Sequence, residues 1–305
     1  MAWNEPDTVR GAQAPAYPGT GGYLKTFVLM AALIAVLAIG GSFVGGSQGM
    51  LLFGGIGLAM NFLMYWFSDR IALMAHRAQP VSREQAPELY EMVERLTRKA
   101  GMPMPRVYVI PSETPNAFAT GRNPAHAAVA VTEGIVRILD RGELEGVLAH
   151  EISHVRNRDV LIATIAAAVA GLVSSLGHVI QWGAFLGGFG RSDDDEGGGI
   201  FGALAWAILA PIVALLIQLA VSRSREYAAD ASGAELAGDP EALAGALEKL
   251  QEANEVRPYE FAGPATAHLF IVNPLSGRAL MSLLSTHPPL EERVRRLREM
   301  RRGVR

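Results

Sequence analysis

Residues 142–154 read Gly-Glu-Leu-Glu-Gly-Val-Leu-Ala-His-Glu-Ile-Ser-His, a segment whose composition predicts a helix. On a helix, His150 and His154 lie one above the other on the same face, so both imidazoles can reach one metal ion. Glu151 lies beside them, where it can take a proton from a water molecule held by that ion. The segment therefore predicts a catalytic metal site of the H-E-x-x-H type.

The rest of the chain is more apolar than an ordinary soluble enzyme. Of its 305 residues 50% are hydrophobic, and the mean hydropathy is +0.21. No formal charge occurs within residues 26–68, 160–190 or 197–222. Because a bilayer span needs about 20 apolar residues, we predict four transmembrane helices, at about 25–44, 50–68, 160–186 and 200–222. Buried core helices of a soluble protein, the alternative, seldom run this long without charge.

Basic residues near the ends of the spans indicate their orientation, because lysine and arginine favour the cytoplasmic side. They lie before the first span, after the second, before the third and after the fourth: Arg10, Lys25, Arg70, Arg77, Arg156, Arg158, Arg223 and Arg225. The connection 191–199 carries one arginine against four acidic residues. We therefore expect both termini on the cytoplasmic side and the acidic loop 191–199 outside.

The predicted fold is a mainly α membrane protein with a small β-sheet and a cytoplasmic zincin-type metalloprotease domain. Residues 1–23 are polar and read as a flexible tail. Two transmembrane hairpins follow, at 24–68 and 160–222. The polar regions 69–159 and 223–305 must build one domain together, because the metal ligands are divided between them.

Periodicity and capping residues predict the elements of this domain. They are helices at 85–100, 240–254 and 290–300 and strands at 106–110, 116–121 and 127–131. Gly101 ends the first of these helices, and Asp140 with Glu143 has the capping-box spacing that opens the H-E-x-x-H helix.

Charge and cysteine content exclude several classes of function. The net charge is −3, so no global basic field points to nucleic acid. The chain has no cysteine, which excludes a thiol nucleophile, a disulfide framework and a zinc site with cysteine ligands. The absence of cysteine also fits a reducing compartment.

A catalytic zinc site usually has three protein ligands, so a third is required. Glu226 and Asp230 are four residues apart just after the fourth span, on one face of a predicted helix. We interpret Glu226 as the third ligand and Asp230 as the acceptor for the free ring N–H of a ligand histidine. A solvated helix with acid–arginine pairs is the alternative. Because the third span begins shortly after His154 and the fourth ends shortly before Glu226, both motifs are expected at similar depth, just off the membrane surface.

From about residue 20 to residue 300 the chain resembles the HtpX family of membrane zinc metalloproteases, relatives of the CAAX prenyl proteases. The resemblance rests on the order of two spans, H-E-x-x-H helix, two spans and E-x-x-x-D helix, with Asn116-Ala117-Phe118 and Thr286-His287-Pro288-Pro289. It implies an endopeptidase on the cytoplasmic face of a bacterial inner membrane. Its role would be quality control of damaged or misfolded membrane proteins under stress.

The resemblance also implies the partners of the site. A single Zn²⁺ per chain would be bound by His150, His154 and Glu226, and Glu151 would be the general base. The partners would be polypeptide substrates, among them membrane proteins, and the lipid bilayer.

Further residues of the resemblance concern the substrate. Asn116, Ala117 and Phe118 would form an edge strand that pairs with the substrate backbone. His287 would polarise the oxyanion, with Arg293 as support. As alternatives, Asn116 is a turn residue after a proline, and His287 is a capping or packing residue before two prolines.

Two rival interpretations remain beside the peptidase. A site-2-type intramembrane protease buries H-E-x-x-H within a span, whereas Arg156, Arg158 and Asp159 follow the motif here. A membrane adaptor with a structural zinc site would need a fourth protein ligand, for which Asp159 and His287 are the candidates.

Overall fold

The structure is a computed structural model, and it describes residues 21–160, 223–256, 271 and 288–303. The described helices are α1 (Gly21–Ala75), α2 (Pro87–Ala100), α3 (Glu133–Ile138), α4 (Arg141–Arg156), α5 (Arg223–Ala237), α6 (Pro240–Val256) and α7 (Leu290–Gly303). The described strands are β1 (Gln79–Pro80), β2 (Arg106–Ile110), β3 (Ala117–Thr120) and β4 (Ala128–Thr132). The described part is therefore mainly helical with a small sheet, as the sequence predicts. The predicted third and fourth spans, the acidic loop 191–199 and His287 lie outside the described residues.

Helix α1 reverses its direction, although it is helical without interruption from Gly21 to Ala75. Asn61 Nδ2 donates a hydrogen bond of 2.8 Å to the carbonyl oxygen of Met30. In a straight helix these residues would be about 46 Å apart, at a rise of 1.5 Å per residue. Gly46 has a φ of +58°, in the left-handed region that favours glycine. The chain thus reverses at Gly46, within the glycine-rich segment between the first two predicted spans.

The second half of α1 continues beyond the predicted end of the second span at Ser68. Ala72 and Leu73 are buried against the sheet, and Asp69 accepts a hydrogen bond of 2.5 Å from Arg106 on β2. Packing against the polar domain stabilises the extra helical turns. A hydropathy profile carries no information about this packing.

In the part of the chain that the structure describes, one helical stretch is long and apolar enough to cross a membrane. It is Gly46–Phe67, with a mean hydropathy of 1.6. Only 12% of the most apolar part of this stretch is buried. A core helix of a soluble protein would be mostly buried, so this stretch has the exposure expected of a lipid-facing helix.

The sheet is mixed, with the strand order β1-β2-β4-β3. Strand β2 pairs in parallel with β4, and β3 pairs antiparallel with β4. Strand β3 therefore lies at one edge of the sheet. This edge position matters for the site, because an edge strand offers its outer backbone groups to another chain.

Both faces of the sheet are buried. Side chains of successive residues in a strand point to opposite faces, and β4 illustrates this alternation. Val129 and Val131 join the main core with α2, α4 and α6, whereas Ala128 and Ala130 join a second cluster with the end of α1. The sheet is consequently the middle layer between the H-E-x-x-H helix on one side and the end of α1 on the other.

Helices α2 and α4 end and begin where their capping residues predict. Gly101 is left-handed at φ 66° and its N–H bonds back to the last turn of α2. Asp140 and Glu143 form a complete capping box at the start of α4. These caps fix the register of α4, and with it the direction in which its histidines point.

Candidate metal centre and active site

Three side chains from α4 and α5 converge on one point. The Nε2 atoms of His150 and His154 lie 3.1 Å apart. The Glu226 carboxylate approaches to 3.8 Å from His150 Nε2 and 3.5 Å from His154 Nε2. Among the described residues these form a group whose ligand atoms all lie within 4.8 Å of one another.

The spacing fits a tetrahedral metal ion. With bonds of 2.0–2.1 Å, two ligand atoms of a tetrahedral zinc ion are about 3.3 Å apart. The distance of 3.1 Å between the two nitrogens lies near that value, as do the distances of 3.5 Å from His154 Nε2 to Glu226 Oε1 and 3.8 Å from His150 Nε2 to Glu226 Oε2. Two nitrogens and one carboxylate oxygen are also the donor types that catalytic zinc takes. The residues present therefore suit such an ion in both geometry and chemistry.

The charge around His154 favours a cation at this point. Burial alone lowers the pKa of His154, but the carboxylates of Glu226, Asp159 and Glu151 outweigh burial and raise it to about 9. The pocket thus stabilises positive charge on the imidazole, and a bound divalent cation would supply that charge instead.

A buried ion pair between Asp230 and Arg293 lies on the Nδ1 side of His150. His150 Nδ1 lies 3.0 Å from Asp230 Oδ1, and Arg293 donates to both oxygens of that carboxylate at 2.7 and 2.8 Å. Burial raises the pKa of the Asp230 carboxyl, but the Arg293 guanidinium lowers it well below its usual range. Asp230 is therefore ionised and lies on the Nδ1 side of the ring, whose Nε2 faces the other two candidate ligands, and its role as an orienting residue stays a prediction.

All three guanidinium nitrogens of Arg293 donate hydrogen bonds within the described part of the chain. Its third nitrogen, Nη1, donates to the carbonyl oxygen of Ile271 at 2.8 Å, and only 1% of the residue is exposed. The resemblance implies that Arg293 supports His287. Within the described part, its contacts link Arg293 to Asp230 and through it to His150, and the support of His287 stays a prediction because His287 lies outside the described residues.

A second pair stands behind His154, and the sequence interpretation missed it. His154 Nδ1 lies 3.4 Å from Asp159 Oδ2, and Arg225 Nη1 lies 3.5 Å from Asp159 Oδ1. Asp159 therefore faces the opposite side of the ring from Nε2, which is the wrong side for a fourth ligand. The sequence held a usable signal: an acid five residues after His154 and an arginine directly before Glu226.

Glu151 is reached by the edge strand. The backbone N–H of Ala119 on β3 donates to Glu151 Oε2 at 2.9 Å. Asn116 lies just before β3 and is 1% exposed, and Ala117 begins the strand. The Phe118 ring points to the other face, where it packs against the His76 ring at a centroid distance of 5.0 Å. The strand that carries the Asn-Ala-Phe sequence thus runs beside the candidate base.

Close packing of α5 on α4 brings the three ligands together. A Cβ placed on Gly233 would lie 2.8 Å from both Cα and N of His150. Only glycine permits this approach, because real Cβ contacts of that length are not found. Gly233 thereby sets the distance between the histidine-bearing and the glutamate-bearing helix.

A model of peptidase family M48 matches residues 83–301, a range that contains α4, α5 and most of α7. The chain belongs to peptidase family M48. Similar curated proteins include a "Protease HtpX homolog" from Syntrophobacter fumaroxidans, 57% identical over 92% of this chain and 100% of its own length. Another from Thermococcus kodakarensis is 52% identical over 91% of this chain and 96% of its own.

A solved structure shares the fold of this M48 peptidase. The crystal structure of S. mikatae Ste24p aligns with a TM-score of 0.52 at 22% identity, over 90% of this chain and 65% of that one. At this identity the likeness concerns the fold alone, and the M48 peptidase spans 65% of the length of that chain.

Membership of the family makes the protein a metalloprotease, which is a hydrolase of peptide bonds. The resemblance to HtpX proteases is thereby confirmed. The structure adds a group of histidines and a glutamate that can hold the metal. Among the implied substrate residues, Asn116, Ala117 and Phe118 lie at the edge beside this group, and His287 lies outside the described residues.

Proposed function

We propose that this M48 peptidase is a zinc-dependent endopeptidase embedded in a bacterial inner membrane, with its active site on the cytoplasmic side. The observation that carries the proposal is the convergence of His150, His154 and Glu226 beside Glu151, at tetrahedral spacing. Zinc is favoured over other divalent metals by the two imidazole ligands and the single carboxylate.

The residues of the site then have separate roles in the hydrolysis. Bound zinc would polarise the scissile carbonyl and a water molecule. Glu151 takes the proton of the attacking water and returns it to the leaving amine. Asp230 and Asp159 hold the ligand imidazoles in a single orientation, which keeps the ligand set fixed during turnover. His287, as the resemblance implies, stabilises the developing oxyanion.

Strand addition to β3 supports an endopeptidase that accepts many sequences. Backbone pairing gives affinity without strong side-chain preference, because every peptide carries the same N–H and C=O groups. This recognition suits unfolded or damaged chains, which present extended segments. The proposed substrates are accordingly damaged or misfolded membrane proteins, degraded during quality control and the response to stress.

The proposed topology has four spans with both termini in the cytoplasm. Support comes from the exposed apolar helix Gly46–Phe67 and from the charge-free runs 160–190 and 197–222. Basic residues follow the same helix at Arg70 and Arg77. The helix α1 runs from the apolar segment directly into contact with the sheet, which favours an active site close to the membrane surface.

Two alternatives make different predictions. A structural zinc site in a non-catalytic adaptor needs a fourth ligand, and Asp159 is turned toward the Nδ1 side of His154. An intramembrane site-2-type protease would surround the motif with apolar residues. Here Asp159 lies 3.5 Å from Arg225, so charged groups border the site.

The deciding experiment compares wild type with Glu151→Gln in detergent, stripped by a chelator and then supplied with zinc. Both proteins should bind zinc, and only wild type should cleave an unfolded protein. The matched control is Glu145→Gln, a glutamate of the same helix that pairs with Arg95 outside the site. It should retain activity. Zinc binding without cleavage of soluble or membrane substrates by wild type would favour the adaptor.

A further inference from the structure

The outer edge of β3 has a defined pattern of backbone groups. In an antiparallel pair, residues alternate between those bonded to the partner strand and those facing away. The N–H of Thr132 donates to the carbonyl oxygen of Asn116 at 2.9 Å, which makes these two residues a bonded pair. Ala117 pairs in register with Val131, one step along. By alternation, the N–H and C=O of Ala117 and Ala119 face outward.

One of these outward groups is used within the protein. The Ala119 N–H donates to Glu151 Oε2 at 2.9 Å, between a strand residue that is 5% exposed and a glutamate that is 7% exposed. A hydrogen bond from an amide to a buried carboxylate is about twice as strong as one between neutral groups. It also restrains a glutamate side chain that would otherwise sample several rotamers.

We propose that the backbone N–H of Ala119 is a positioning group for Glu151, and that the outward backbone groups of β3 have two different roles. Ala117 pairs with the backbone of an extended peptide, and Ala119 holds the base. This inference rests on the proposed function and deepens it. Because the Ala119 N–H is already used, backbone pairing of the substrate ends at this point. The peptide bond that follows the last paired residue is then the one presented to Glu151.

The bond itself is tested without any measurement of activity. Amide hydrogen exchange at Ala119 is compared in the zinc-loaded wild type, Glu151→Gln and Glu151→Ala. Glutamine keeps a side-chain oxygen as acceptor, so Ala119 should stay protected as in wild type. Alanine removes the acceptor, and exchange at Ala119 should accelerate about tenfold or more while Ala117 is unchanged. Equal exchange at Ala119 in all three proteins would overturn the proposal.

The positioning role is tested by removing the N–H. Proline is tolerated at an edge where the N–H faces away from the sheet, so Ala119→Pro and Ala117→Pro leave the bonds to β4 in place. Ala119→Pro should retain zinc and KM and lose about ten- to a hundredfold in kcat. Ala117→Pro should instead raise KM. If Ala119→Pro raises KM and keeps kcat, Ala119 binds substrate and the proposal is wrong.

A second variant covers the case in which proline prevents folding. Lactic acid delivered to position 119 by a suppressor tRNA replaces the amide with an ester, and alanine delivered in the same way is its control. The ester should show the loss of kcat at unchanged zinc content, and an ester with full kcat overturns the proposal. If wild type itself cleaves nothing, the proposed function has failed, whereas hydrogen exchange still reports on the bond.

Discussion

At the scale of single residues, the site consists of two imidazoles that are each backed by a carboxylate and an arginine. His150 is backed by Asp230, and His154 by Asp159. An acceptor at Nδ1 fixes the tautomer in which Nε2 carries no proton and can bind a metal. In the proposed site, the two pairs would therefore orient both rings for the same ion.

The raised pKa of His154 predicts that zinc binding strengthens with pH. Without metal, His154 keeps its proton up to a pKa of about 9, and zinc must displace this proton because it binds neutral imidazole. Zinc affinity should therefore rise about tenfold per pH unit between pH 7 and 9 and level off above. The measurement is competition with a chelator, corrected for the chelator's own protonation. A flat profile from pH 7 to 9 would contradict the assignment.

Asp159 should matter for zinc although it is not a ligand. Asp159→Asn removes the charge that faces His154 Nδ1 and Arg225, and zinc affinity should fall about ten- to a hundredfold. Asp239→Asn is the matched control, since Asp239 caps α6 and asparagine caps equally well. Chelator competition on both proteins decides the matter. Equal affinity for zinc in both would remove Asp159 from the site.

Local spacing was sufficient to predict which side chains of the candidate site come together, but not all of the groups that contact them. His150 and His154 are related by helix geometry alone, so their meeting follows from the sequence. The approach of Glu226 was inferred from the matching depth of two helices. The contact of Asp159 with Arg225 depends on how the end of α4 meets the start of α5, and no local pattern contains that distance.

At the scale of elements, the decisive contact is that of α5 with α4. Small residues permit it: Gly233 on α5 lies against the backbone of His150. Helix axes usually stay 8–10 Å apart, and a glycine at the contact allows the lower end of that range. The reach of Glu226 to the two histidines depends on this spacing.

Gly233→Ala should therefore disturb the metal site through packing. The new Cβ would lie 2.8 Å from His150 backbone atoms, so α5 must move away. We expect a loss of about 1–3 kcal/mol in the free energy of unfolding and a lower zinc content. Gly142→Ala is the control, because its Cβ would meet nothing closer than 3.5 Å. A Gly233→Ala protein with the stability and zinc of wild type would show that α5 packs less closely.

The boundaries of the helices show which features of the fold can be predicted from the sequence. Caps and turn residues act locally, so Gly101 and the Asp140–Glu143 box could be located in advance. Helix α1 continues past the predicted end of the second span at Ser68, because its final turns are stabilised by the sheet rather than by their own composition. Hydropathy measures transfer to lipid and carries no information about a domain that the helix meets afterwards.

At the scale of the whole molecule, the C-terminal end of α1 is a layer of the peptidase domain. It buries Ala72 and Leu73 against the same sheet face as Phe118. Arg122, in the turn that follows β3, lies with its guanidinium 4.5 Å from the ring of Trp66 on α1. The edge strand beside the candidate base is thus packed against the end of the apolar helix on its other face.

This layering predicts that a substitution in α1 weakens a strand more than 40 residues further along the chain. Leu73 is 5% exposed, and Leu73→Ala should cost about 2–5 kcal/mol in the free energy of unfolding. Its neighbour Met74 is 70% exposed, so Met74→Ala should leave stability unchanged. Thermal unfolding in detergent, followed with hydrogen exchange at Phe118, compares the two proteins.

The pattern of exchange separates two accounts of the interface. If α1 supports the sheet, Leu73→Ala accelerates exchange in β3 and β4, because both strands contribute to the cluster around Phe118. The bond from Ala119 to Glu151 then loosens as well, and cleavage should fail at a lower temperature than in wild type. If Leu73→Ala leaves exchange in β3 unchanged, the apolar helix anchors the peptidase without shaping its site. Since Phe118 would otherwise expose its ring, we expect the first result.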